Sequence, residues 1–119
     1  MNDCVFCKII RGELPTQKEF ENDDIVVFPS VQPAAETHLL IVPKKHTNSF
    51  TDLAEAEMAA IFLVAQKLIS TKKLSGGYKL VFNGGKFQFV PHTHMHLLAG
   101  EFVKDFEKKL WFQTQFKNK

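Results

Sequence analysis

The chain has 119 residues, 45% of them apolar, and carries 15 basic and 13 acidic side chains for a net charge of +2. That length fits one domain with a real core. A charge so balanced and so mixed along the chain argues against the concentrated basic face of a nucleic-acid binder, and the longest apolar run, Met58 to Ala65, is far short of the ~20 residues a bilayer core requires.

In chain order, Met1-Asn2-Asp3-Cys4 lacks the charged start and apolar stretch of a secretory signal. A reduced, cytoplasmic protein without a membrane partner is therefore expected. Val5 to Arg11 reads as a short helix stopped by Gly12 and Pro15. Phe20 to Phe28 is strand material broken by the turn Glu21-Asn22-Asp23-Asp24, and Ile25-Val26-Val27-Phe28 is apolar and β-branched, as a buried strand requires. Pro29 to Thr37, with two prolines, reads as a loop. His38-Leu39-Leu40-Ile41-Val42 is a second buried strand, ended by Pro43. Leu53 to Ile69 is the long helix, with Met58, Ile61, Ala65 and Leu68 as its apolar stripe and Thr51 or Asp52 as its cap. Tyr78 to Phe82 reads as a third strand between the turns Ser75-Gly76-Gly77 and Asn83-Gly84-Gly85. A last strand runs from His92 to Leu98 and ends at Gly100, and Phe102 to Leu110 reads as helical. Strands segregated around one main helix predict a single α+β domain with an antiparallel sheet of about five strands. Its core spans residues 4–100, and residues 101–119 form an extension whose last stretch is rich in lysine.

The most informative segment is Pro91-His92-Thr93-His94-Met95-His96-Leu97-Leu98. Alternate residues of a strand share a face, so His92, His94 and His96 form a row with Thr93, Met95 and Leu97 opposite. Imidazoles are costly to bury unless their nitrogens are paired or bound. Three readings stand: a metal chelate, a nucleophilic imidazole attended by phosphate-binding neighbours, or a purely structural row. Cys4 and Cys7 supply half of a tetrahedral zinc site, with unligated thiols and a redox pair as the alternatives.

At these residues the chain resembles the histidine-triad family of nucleotide hydrolases and transferases. The resemblance also rests on Cys4 to Pro15, on Thr37 to His46 and on Val81-Phe82-Asn83-Gly84, in the expected order. It implies a homodimer of α+β subunits acting on a small nucleotide. In that reading His94 attacks an α-phosphorus and becomes nucleotidylated, and water then releases a nucleoside monophosphate. His96 donates to a phosphate oxygen. His38 completes the cluster, or only braces it. Asn83 bonds near the phosphate, or is a turn residue. The resemblance also implies that His46 and His92 complete a structural zinc site with Cys4 and Cys7, so that zinc on His92 braces the segment carrying His94.

Three departures from the family pattern matter. Ser30 stands where an aspartate usually holds the ribose hydroxyls, and a hydroxyl lacks the charge-assisted bond of a carboxylate. The loop Lys86-Phe87-Gln88-Phe89 is about two residues shorter than usual; the resemblance implies that Gln88 keeps the role of a family glutamine as a substrate contact, while Phe89 stands where a serine or threonine helps protonate the leaving group. Lys86 is either a β-phosphate contact or a solvated loop residue. The C-terminus lacks the Trp-Pro-Pro-Gly ending of the adenosine phosphoramidase branch; Trp111 either reaches the partner's site or packs on its own domain. The implied activity is that of a purine nucleoside phosphoramidase or a dinucleoside polyphosphate hydrolase. Two alternatives are a nucleotide-binding module with little turnover and a zinc-stabilised interaction protein.

Overall fold

A computed structural model describes residues 4–103 of the chain. Helix α1 spans Val5–Ile10, and strands β1 and β2 span Phe20–Glu21 and Ile25–Pro29. Strand β3 is Ala35–Pro43, helix α2 is Glu55–Thr71, β4 is Tyr78–Val81 and β5 is Met95–Phe102. The strands form one antiparallel sheet in the order β1-β2-β3-β5-β4. The expected α+β architecture is therefore present, with one long helix and one short N-terminal helix.

The apolar runs in β2, β3 and β5 are continuous because both faces of the sheet are covered. Ile25, Val27, Leu39, Ile41, Met95 and Leu97 face α2, where Ile61, Val64, Ala65 and Leu68 meet them. Val26, Phe28, Leu40 and Val42 face α1 and pack with Phe6 and Ile9. The period of two in a strand thus assigns even-numbered positions of these strands to the α1 side. This parity later decides where the histidines go.

Local chemistry explains the turns. The Asn22 side-chain oxygen accepts from the N–H groups of Asp24 and Ile25, both at 2.8 Å, which closes the β1–β2 turn. Gly12 follows α1 with φ +80°, the left-handed conformation that glycine adopts freely at a helix C-terminus.

Several element boundaries differ from expectation, each for a visible reason. The long helix starts at Glu55, because Phe50–Asp52 form a short 3₁₀ turn and Leu53 is extended. Neither Thr51 nor Asp52 caps it; Glu57 reaches back to accept the Ala54 N–H at 2.8 Å. The helix stripe includes Val64, while Met58 is only half-buried. The loop after Pro29 is shorter than Pro29 to Thr37, because pairing with β5 draws Ala35 into β3. The third strand stops at Val81 rather than Phe82.

The last strand begins at Met95 rather than His92. The Thr93 N–H donates to the Thr47 carbonyl at 2.9 Å, and the His92 N–H to the Val90 carbonyl at 2.8 Å. Nor does Gly100 end the strand, which continues to Phe102. Gly100 has φ +81°, and a Cβ there would lie 2.4 Å from a Glu36 carboxylate oxygen. Between the pairs Thr37–Ala99 and Ala35–Phe102, Gly100 and Glu101 of β5 oppose Glu36 alone, so β5 carries the bulge and Gly100 bends it there. The helix expected from Phe102 to Leu110 begins on a β5 residue and otherwise lies, from residue 104, outside the described residues, as does Trp111. Among the described residues no helix is long and apolar enough to cross a membrane.

Candidate active site and metal cluster

His38 and His96 are even-numbered, so both point to the α1 side of the sheet, where they are buried. Their strands pair Leu40 with His96 and His38 with Leu98, which makes the two histidines diagonal neighbours. The Ala34 N–H donates to His38 Nδ1 at 2.9 Å. A ring nitrogen that accepts carries no proton, so the proton of His38 sits on Nε2. It is donated to His96 Nδ1, 2.9 Å away. The proton of His96 is therefore on its Nε2. Asn83 Nδ2 lies 3.4 Å from that nitrogen, beside the outward face of the ring. A backbone N–H thus sets two tautomers in series and ends in an outward N–H on His96.

His94 lies just before β5 and is also buried. Its Nδ1 donates to the His92 carbonyl at 2.7 Å, which leaves Nε2 with a free lone pair. Its ring centroid is 5.0 Å from that of His96 and 5.1 Å from Phe6, which meets it edge-on. Burial lowers the pKa of His94, against the opposing bond to the His92 carbonyl. Burial, followed by the neighbouring His94 and His38, pushes His96 down to about 3. Both rings are therefore neutral at pH 7.

His94 and His96 line a cavity of about 260 Å³. Phe6, Ile9, Phe28 and Leu40 contribute an apolar wall. None of the described residues that line it is a lysine, arginine, aspartate or glutamate. Ser30 lines it too; its oxygen accepts from the Gln32 N–H at 3.2 Å, so its hydroxyl proton is left to donate. Phe89, 41% exposed, is part of the same lining and brings no proton.

His92 parts from the row. Its side chain is not in the cavity lining but faces Cys4, Cys7 and His46. The expected row of three therefore divides: His94 and His96 go to the cavity, His92 to the cysteines. His92 serves the cavity only through its carbonyl. Gln88, expected as a substrate contact, is placed away from the cavity. It lies outside the cavity lining, and its amide nitrogen donates to the carbonyls of Asn48 and Val90 at 2.5 and 2.9 Å, bracing the loop.

The ligand atoms of Cys4, Cys7, His46 and His92 all lie within 4.8 Å of one another. His92 Nδ1 is 3.3 Å from Cys4 Sγ and 3.5 Å from Cys7 Sγ. His46 Nδ1 is 3.2 Å from both Cys7 Sγ and His92 Nδ1. With Zn–S near 2.3 Å and Zn–N near 2.0–2.1 Å, a tetrahedral ion spaces N···N at ~3.3 Å and S···N at ~3.5 Å, so the observed spacings fit. The outer nitrogens are held as well. His92 Nε2 donates to the Pro43 carbonyl at 2.8 Å, and His46 Nε2 to Asn48 Oδ1 at 2.9 Å, which leaves both Nδ1 lone pairs facing the sulfurs. Burial, followed by the Cys4 bond, pushes the Cys7 thiol up to about 11, so metal binding there releases a proton.

Sequence reasoning missed Phe6, which lies against both clusters: its ring is 5.8 Å from His92 and 5.1 Å from His94. The signal for it was its place between the two cysteines. It also missed the Ala34 N–H and the Pro43 carbonyl, since backbone groups leave no mark in a residue pattern.

A five-stranded antiparallel sheet backed by one long helix, with paired histidines on the opposite face and a cysteine–histidine ligand set at its edge, defines a histidine-site α+β protein. The HIT domain family model matches residues 11–103. An uncharacterised HIT-like protein of Methanocaldococcus jannaschii is 35% identical over 115 residues, covering 89% of each chain. An adenosine 5'-monophosphoramidase of Candida albicans is 36% identical over 104 residues, 80% of this chain and 68% of that protein. The crystal structure of a HIT family hydrolase from Legionella pneumophila superposes with a TM-score of 0.79 at 41% identity, covering 87% of this chain and 97% of that one. The chain belongs to the histidine-triad (HIT) family.

Proposed function

We propose that this chain is a nucleotidyl hydrolase that cleaves at the α-phosphorus of a nucleotide through a covalent intermediate on His94. The observation that carries the proposal is the 2.7 Å bond from His94 Nδ1 to the His92 carbonyl, because it fixes the one tautomer able to attack from Nε2.

In the first step the Nε2 lone pair of His94 forms a bond to phosphorus. The bond from phosphorus to the leaving group breaks, and the leaving group departs with the electron pair and takes a proton from solvent water. The His96 N–H donates to a phosphoryl oxygen as charge builds there, oriented by the Ala34–His38 relay. In the second step water attacks phosphorus and loses a proton to solvent, the N–P bond breaks with its electron pair returning to His94 Nε2, and a nucleoside monophosphate leaves. The wall of Phe6, Phe28 and Leu40 suits the face of a base, and the Ser30 hydroxyl suits a ribose oxygen. Asn83, beside His96, supports the phosphoryl end. The adenosine monophosphoramidase relative supports a purine phosphoramidate as substrate.

The metal cluster is read as a structural zinc site held by Cys4, Cys7, His46 and His92, stabilising the segment that carries His94. The edge strand β4 and the exposed Phe62, Leu63 and Tyr78 support a homodimer through that side. Reduced thiols in a ligand set support a cytoplasmic protein.

The test is nucleoside monophosphate release from an adenosine phosphoramidate and, separately, from a dinucleoside polyphosphate, with His94→Ala in parallel. Release that needs His94, with a nucleotidyl adduct seen by intact mass, is expected; release surviving His94→Ala sinks the proposal. One observation favours a second reading. Phe89 in the cavity lining offers the leaving group no proton, so a module that binds nucleotide and turns over little is the outcome if binding is seen without product.

A further inference from the structure

Helix α1 serves two sites at once. Cys4 is its N-cap and Cys7 lies within it, and both belong to the metal ligand set. The two residues between them, Val5 and Phe6, line the cavity, as does Ile9. A helix of six residues has no stability of its own, so what it touches holds it. It touches the apolar cluster of Val26, Phe28, Leu40 and Val42 on one flank and the ligand set at its start. Phe6 links the two sites directly, with its ring edge-on to both His92 and His94. His92 adds a second link: its ring faces the sulfurs, while its carbonyl holds the proton of His94.

We propose that Cys4 and Cys7, joined through a zinc ion to His46 and His92, latch α1 onto the sheet, so that metal and nucleotide bind cooperatively at two sites linked by Phe6 and the His92 carbonyl. With the latch released, α1 loses its anchor at Cys4 and Cys7, the apolar wall it supplies loosens, and the His92 carbonyl is free to shift under His94. Nucleotide binding needs that wall, so each ligand favours the state the other needs. Linkage makes the effect reciprocal: the factor by which zinc tightens nucleotide is the factor by which nucleotide tightens zinc. This inference rests on the cavity being the nucleotide site.

The test uses the full-length protein with AMP as probe. AMP affinity is measured by calorimetry on the zinc-loaded protein and on protein stripped by a chelator, with circular dichroism confirming that the sheet persists. Zinc affinity is measured by chelator competition with and without saturating AMP. We expect stripping to weaken AMP about tenfold, within the usual range of coupling between sites, and AMP to tighten zinc by the same factor. Amide exchange should speed up in α1 on stripping while β3 and β5 stay protected. If stripping unfolds the chain, His46→Ala decides, because His46 lies outside the cavity lining. AMP affinity in that variant should be weak at low zinc and recover at high zinc. Equal AMP affinity with and without zinc, or an α1 that stays protected in the stripped protein, overturns the latch and leaves the nucleotide reading intact. Failure of AMP to bind even the zinc-loaded protein overturns the nucleotide reading, and the latch with it.

Discussion

The proton relay from Ala34 through His38 to His96 makes a quantitative demand on His38. Replacing it by phenylalanine keeps a ring of similar size, so little cavity cost arises. It removes the acceptor for the Ala34 N–H and the donor to His96 Nδ1, both in buried surroundings. Each orphaned group costs about 1–3 kcal/mol, so His38→Phe should destabilise the protein by about 2–6 kcal/mol. At about 3 kcal/mol a domain of this size loses roughly 12 °C of melting temperature. Stability alone does not separate the relay from simple packing; turnover does. Without a donor at Nδ1, His96 is free to hold its proton there and present a lone pair to the phosphoryl oxygen. Losing one preorganised donor to a developing anion lowers kcat by about 100- to 1000-fold. His38→Gln is the control. Its carboxamide carries an acceptor and a donor about as far apart as the two ring nitrogens, so it should recover much of kcat even if less stable. Initial rates per folded protein, with KM and kcat separated, give the answer. A His38→Phe variant with kcat within threefold of the original, or a His38→Gln variant no better than His38→Phe, would refute the relay.

Acid should test the same cluster. The folded-state pKa of His96 is depressed to about 3, against 6.5 in the unfolded chain, so the unfolded chain binds more protons between those values. The contribution of His96 is complete above pH 6.5 and is lost as pH falls toward 3, by up to about 1.4 kcal/mol per pH unit. Urea melts from pH 7 to 4 should show His96→Gln losing less stability than the original protein; equal losses would rule out His96 as a source. Gly100→Ala should cost about 1–3 kcal/mol, because φ +81° strains an L-residue and its Cβ meets the Glu36 carboxylate. Adding Glu36→Ala should relieve the carboxylate contact but neither the contact with the Cβ of residue 36, at 2.9 Å, nor the backbone strain, and full recovery in thermal melts would show that strain is absent. Phe89→Ser should raise kcat on an adenosine phosphoramidate more than on a dinucleoside polyphosphate, since a basic amine needs a proton and a phosphate leaving group does not. An equal change on both substrates would exclude Phe89 as the discriminating residue.

Much of the architecture was legible from pattern. The apolar runs of β2 and β3, the helical spacing in α2 and the Asn22 turn each follow from local residue chemistry. The ligand set was legible through resemblance, and the four residues do converge. What the pattern could not show was how the histidine segment is held. Reading His92 to Leu98 as one strand assumed that pairing governs the whole segment. In the structure, Thr47 and Val90 hold Thr93 and His92 in a loop, and β5 begins only at Met95. For Gln88, too, residue identity marked a family position but not its partners, the carbonyls of Asn48 and Val90. The Asn48 and Thr47 carbonyls reach this segment by tertiary approach, from 40 and 46 residues away, and no local spacing encodes them.

The division of the row follows from where β5 begins. His96 lies in the strand, and its parity sends it to the α1 side with His38. His92 and His94 precede the strand, in the loop held by Thr47 and Val90, so strand spacing does not bind all three imidazoles to one cavity. The two nearest β3 meet His38 and the cavity, while the third reaches the sulfurs at the start of α1. The intervening peptide does the joining, since the His92 carbonyl accepts the proton of His94. A short segment therefore places the His92 ring among the cysteines and the His94 ring on the cavity, two residues apart, and couples them through one hydrogen bond. That coupling is why removal of the metal should register at His94 even though no metal ligand side chain lines the cavity.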